Sequence, residues 1–150
     1  MSGNTVFFIV LALVAGIMVP LQGAVNNKLA GALESPILAS FISFVIGTLS
    51  LLVFVIVSGT GFSGLASAKN ASAVAWTGGL LGAFFVTASV VSIPKLGVAL
   101  TFSLIVASQM LVTIIIDHYG LLDVPVKEAS LPRIAGVLLI IVGVVLIRRY

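Results

Sequence analysis

GIMVPLQGAVNNKLAG, residues 16–31, is the stretch on which the fold turns. The residues before it, from about Val6, read as the opening of a membrane helix. A proline, a glutamine, two asparagines and a lysine then follow in a setting that is still apolar. Taking Pro20 as a kink rather than an end gives one helix over about 6–33. A proline inside a helix removes the backbone bond to the residue four before it, here Gly16, and clashes with that carbonyl, so the helix bends. Such breaks are tolerated at membrane depth where protein or water satisfies the freed groups. Gln22 and Asn26, four residues apart, lie on roughly one face beyond the bend. Amides turned toward lipid would leave donors and acceptors unpaired at a cost of several kcal/mol each. Both are therefore expected to face the bundle or a wet cavity.

The rest of the chain supports a membrane reading. Of its 150 residues 61% are apolar and 7% charged, and the mean hydropathy is +1.36. A soluble domain carries about a quarter charged residues and just under half apolar ones. With no cysteine, disulfides, thiolate zinc sites and a cysteine nucleophile are excluded. The net charge of +3 comes from residues near helix ends, so it reflects membrane topology rather than a nucleic-acid surface. No Lys or Arg precedes Lys28, so the basic n-region of a cleavable signal peptide is missing, and the N-terminal segment is expected to be retained as helix.

A crossing needs about 20 predominantly apolar residues. Five segments fit: about 6–33 kinked at Pro20, 37–57, 73–93, 98–116 and 132–147. Pro36 suits the first turn of the second. Trp76 sits at an interfacial position of the third, and Arg148, Arg149 and Tyr150 can anchor the short fifth. None of the runs alternates like a membrane barrel strand. The expected fold is an all-α membrane protein, a single transmembrane domain over 1–150 with five helices. Small residues recur at helical spacing in Gly78 and Gly82, in Ser40, Ser43, Gly47 and Ser50, and in Gly136 and Gly143. These are expected to be bundle contacts, with the Gly136/Gly143 face a candidate dimer seam.

Five crossings put the termini on opposite sides of the membrane. Lys69, Lys127 and Arg133 then fall on one side and Lys28, Lys95, Arg148 and Arg149 on the other. Cytoplasmic loops normally show a clear Lys/Arg excess that sets orientation, and here the two sides nearly balance. Either one strong topogenic element settles the orientation, or the chain inserts both ways and pairs with an inverted copy. Inverted-topology repeats build many transporters, with the solute site at the repeat interface near the midplane.

The fourth segment offers a second polar stripe in Gln109, Thr113 and Asp117. Gln109 lies near mid-span, where polar side chains are costly and tend to be functional. It is either a cavity group or interhelical glue. Chemistry for an enzyme is missing from the sequence: His118 stands alone, no phosphate-binding loop or nucleophile motif occurs, and no carboxylate pair lies within a span. No cofactor or metal is expected. Asp117 is the one candidate for a proton-coupling carboxylate, with His118 beside it; the pair could equally cap the fourth helix and fix the following loop. A cavity lined by Gln22, Asn26, Gln109 and Thr113 is neutral and suits a small polar, zwitterionic or weakly charged solute.

LVAGIMVPLQGAVNNKLAG, ESPILASFISFVIGT, GGLLGAFFVTASVVSIPKLGVALTFSLIVASQMLVTIIIDHYGLL and the closing GVLLIIVGVVLI together resemble the YdcZ-like branch of the drug/metabolite transporter superfamily. The resemblance covers nearly the whole chain, and Pro20, Gln22, Asn26, Gln109, Asp117, His118 and Gly120 match motif positions. Ser108 stands where glycine is commoner, and Tyr119 where phenylalanine is. The resemblance implies a multi-pass bacterial inner-membrane protein of five helices, half of a ten-helix transporter. The expected function is a small secondary transporter working by alternating access in the lipid bilayer. It would act as an antiparallel homodimer or paired with a related five-helix subunit, without nucleic acid. A non-transporting membrane subunit, an assembly factor or a small channel are the alternatives.

Overall fold

The computed structural model describes residues 3–150, and every described element of regular structure is helical. Helix α1 spans Gly3–Leu33, α2 Pro36–Val57, α3 Gly78–Tyr119 and α4 Leu131–Arg149. Short 3₁₀ helices cover Ser63–Asn70, Ala73–Thr77 and Leu121–Asp123. Pro20 lies inside α1, which continues through it for 31 residues in all. The tight turn into α2 has a local cause. Glu34 takes a left-handed conformation (φ 51), and the Ser35 N–H returns to the Ala30 carbonyl at 3.1 Å. Ser35 caps α2 by accepting from the Leu38 N–H at 3.2 Å, and Pro36 fills the first turn, where its missing N–H costs nothing.

Two of the expected helices, 73–93 and 98–116, run together in α3. The first turns of the third segment, Ala73–Thr77, are 3₁₀ rather than α. At 42 residues α3 would measure roughly 63 Å as a straight helix, about twice the hydrocarbon thickness of a bilayer. Gly97 interrupts its regular geometry. Its backbone (φ 77, ψ 165) leaves helical space inside α3, a conformation open to glycine and almost closed to other residues, three positions after Pro94. Helical stretches long and apolar enough to cross a membrane are Asn4–Leu33, Pro36–Val57, Ala73–Tyr119 and Leu131–Arg149.

The chain falls into two compact units, 1–94 and 95–150. The core of the first is small: Ala30 of α1, Ala39 of α2 and Val86 and Val90 of α3, flanked by Leu29, Leu33 and Phe85. Small residues at the contact let backbones approach where no hydrophobic force drives helices together in lipid. Gly82 serves this purpose, since a Cβ there would lie 3.4 Å from the ring of Phe44 on α2. A Cβ at Gly78, Gly47, Gly136 or Gly143 would meet nothing within 4 Å, so no close backbone approach is made at those four positions. Most of the remaining apolar side chains are exposed along the helices, as lipid-facing surfaces are.

In the second unit the loop after Tyr119 folds α4 back alongside the second half of α3. The hollows between them are lined by Phe102 and Val106 with Gly143 and Ile147, and by Met110 and Thr113 with Gly136 and Arg133, so the two segments are antiparallel. Val137 and Val144, seven residues apart, form the buried face of α4. Gly120 starts the loop in a left-handed conformation (φ 60), with Val126 Cγ2 only 2.7 Å from where a Cβ would sit.

Candidate functional site

The buried face of α1 follows helical spacing through Gly23, Asn26 and Ala30. Asn26 is therefore turned into the first unit and is 5% exposed. Its Nδ2 is buried and has no hydrogen-bond partner among the described residues. Gln22, one turn earlier, lies on the exposed side between Leu21 and Val25, which are 53% and 66% exposed. The two amides thus have different surroundings. Four residues advance a helix by somewhat more than one turn, and the edge of the α1 contact falls between them. Pro20 is half-buried beside them.

Gln109 and Thr113 belong to the second unit, and both are exposed. Gln109 lies among exposed Val106, Leu111 and Val112, a polar side chain on an otherwise apolar exposed surface. The Thr113 hydroxyl donates to the Gln109 carbonyl at 2.7 Å, which satisfies its proton and leaves its oxygen able to accept. Thr113 also lines a hollow of about 260 Å³ with Met110, Ile114, Arg133, Gly136, Val137 and Ile140. A second hollow of about 270 Å³ shares Ile140 and continues past Gly143 to Ile147.

Asp117 and His118 are engaged by the loop that follows them. Asp117 pairs through Oδ2 with the Arg133 guanidinium on the first turn of α4, and its carbonyl accepts the Lys127 N–H at 2.8 Å. The same guanidinium donates to the carbonyls of Lys127 at 2.8 Å and Glu128 at 3.3 Å. His118 accepts the Ala129 N–H at Nδ1, 3.1 Å away. That bond selects the tautomer with its proton on Nε2. These contacts close residues 117–133 into a clasp, the geometry of a helix cap and loop anchor. The ion pair leaves Asp117 already neutralised by a fixed cation.

Arg133 is the residue that sequence reasoning missed. Its signal was present as a cation at the foot of an apolar helix, opposite in sign to Asp117 across a single loop. Among the described residues no group of three or more His, Cys, Asp or Glu side chains is placed to hold a metal ion.

Comparison with known proteins agrees with the resemblance seen in the motifs. Residues 7–146 match the family described as "Putative inner membrane exporter, YdcZ". The chain is 29% identical over 138 residues to the inner membrane protein YdcZ of Escherichia coli (strain K12), covering 90% of each. No solved structure matches it. With apolar helices of membrane-spanning length and a family match over nearly all its residues, this chain belongs to the YdcZ family of multi-pass inner-membrane proteins within the drug/metabolite transporters.

Proposed function

We propose that the protein is a small secondary transporter that moves a small polar or weakly charged solute by alternating access. In this reading α3 crosses the membrane twice, folding at Gly97, so that the chain makes five crossings. Two copies in opposite orientation then complete the ten-helix unit. The observation that carries the proposal is Gln109, an exposed amide in the middle of an apolar span. Lipid rejects such a group, so its surroundings in the working protein must be polar. Gln22 repeats the pattern on α1. The near balance of basic residues between the two sides supports dual insertion, and the exporter description of the family supports transport. Gln22, Asn26, Gln109 and Thr113 are the proposed solute-facing groups. Asp117 holds the loop through Arg133, and His118 holds it through the Ala129 N–H.

The chain has no cysteine, so single replacements can be labelled without background. Gln22→Cys and Gln109→Cys in membrane vesicles should react with a water-soluble, membrane-impermeant thiol reagent. Complete resistance at both positions would mean dry packing against another helix and would favour a non-transporting subunit. Reporter fusions at each terminus should give signal from both sides of the membrane. One fixed orientation would remove the homodimer and require an oppositely oriented companion.

A further inference from the structure

In the second unit, the hollow of about 270 Å³ between α3 and α4 covers one half of a membrane crossing. Ile140, Gly143, Val144 and Ile147 form its α4 wall, and Phe102 and Val106 face them from α3. Ile140 is the midpoint of α4, so the hollow runs from mid-helix to the last turn. Its lining is apolar apart from the half-buried Ser103. Gly143 helps keep it open, since a Cβ there would meet nothing within 4 Å.

Helical spacing carries the same stripe on to a cation. Arg148 follows Val144 by four residues and adjoins Ile147, both of which line the hollow. Arg148 and Arg149 are exposed in the last turn of α4, and neither pairs with a carboxylate among the described residues. The three acidic residues of the second unit, Asp117, Asp123 and Glu128, all lie from the last turn of α3 to the loop before α4, at the opposite end of the antiparallel pair. The cation at that end, Arg133, is already paired with Asp117. An occupant that suits the hollow is therefore apolar over half a crossing and anionic at the membrane surface.

We propose that this hollow holds one acyl chain of an anionic phospholipid, with its phosphate bound by Arg148 and Arg149. From Ile140 to Arg148 the helix rises roughly 12 Å. One leaflet's hydrocarbon is about 15 Å deep, so the tail fills the hollow from the surface to mid-membrane. Guanidinium groups suit the headgroup because two parallel N–H groups can meet two phosphate oxygens. Basic pockets between membrane helices recognise anionic headgroups in this way. The tail ends at Ile140, short of Thr113, and the site lies within one unit, so it does not rest on the transport reading.

The test mixes the full-length protein in mild detergent with equal amounts of phosphatidylglycerol and phosphatidylcholine carrying identical chains, and counts retained lipid by native mass spectrometry. The unaltered protein should retain phosphatidylglycerol at least about tenfold over phosphatidylcholine, from two arginines near the surface. Arg148→Gln combined with Arg149→Gln should bring that ratio close to one, while Lys69→Gln in the other unit should leave it unchanged. Gly143→Leu fills the hollow and should lower retention of both lipids. If Gly143→Leu does not fold, Ser103→Leu fills the same space from α3 and should do the same. Equal retention of the two lipids by the unaltered protein would overturn the proposal, as would a ratio that Lys69→Gln lowers as much as the arginine changes. Undiminished retention in the filled variant would overturn it as well. So would a dimer that Gly143→Leu separates without loss of lipid, because a helix of a second copy would then occupy the hollow.

Discussion

Replacing Arg133 by methionine tests the clasp that joins the second half of α3 to α4. The substitution keeps the apolar stem and removes the ion pair to Asp117 and the donors to the Lys127 and Glu128 carbonyls. A fully buried pair broken on one side costs about 3–5 kcal/mol, while an exposed pair is worth at most about 1 kcal/mol. Here the Arg133 and Asp117 side chains are 33% and 20% exposed, so the pair lies between those limits. The two carbonyls are in an exposed loop and can rehydrate, which adds little. The expected cost is about 2 kcal/mol, or a fall of roughly 4–8 °C in the unfolding midpoint. Asp117→Asn keeps the shape and one acceptor and should cost about half as much. The decisive measurement is the double mutant, followed by thermal unfolding in detergent with fluorescence-detected size exclusion. If the pair acts as one unit, Asp117→Asn should add almost nothing on top of Arg133→Met. Fully additive losses would refute the reasoning, since each side chain would then act through other partners.

Three backbone predictions can be checked by the same melting assay. Glu34→Gly should stabilise the protein by about 1 kcal/mol, because Glu34 is held at φ 51, where a Cβ is costly; no gain would mean that its carboxylate contributes something the turn geometry does not show. Gly97→Ala should destabilise by about 1–3 kcal/mol through backbone conformation alone, since nothing lies within 4 Å of the new Cβ; an unchanged midpoint would mean that α3 does not break there. Gly120→Ala combines a left-handed backbone (φ 60) with a Cβ 2.7 Å from Val126 and should cost at least about 2 kcal/mol. Val126→Ala should relieve part of that loss.

The contrast between Gln22 and Asn26 shows where reading a membrane sequence stops. Spacing put both amides on one face, and a helical wheel has no further resolution. Which one is buried depends on where the edge of the α1 contact falls, and that is set by Ala39, Val86 and Val90 on other helices. The glycine stripes illustrate the same limit. GxxxG spacing does not distinguish Gly82, which faces a ring, from Gly78, which faces open space. In a soluble protein the polar side of a helix would mark its exposed face. In lipid the outside is as apolar as the inside, so the pattern that normally reports burial is absent.

Composition and hydropathy alone determined that the chain is helical and membrane-embedded. In a bilayer every backbone polar group must be satisfied within its own segment, so long apolar runs have little choice but to be helices. The motif residues were likewise enough to place it among YdcZ-like proteins. Only the tertiary structure decided that Asn26 is sealed in the first unit with an unpaired amide, and that Arg133 reaches Asp117 across the loop. Both depend on which side chains from different helices or from the two ends of a loop come together. Local propensity carries no information about such meetings.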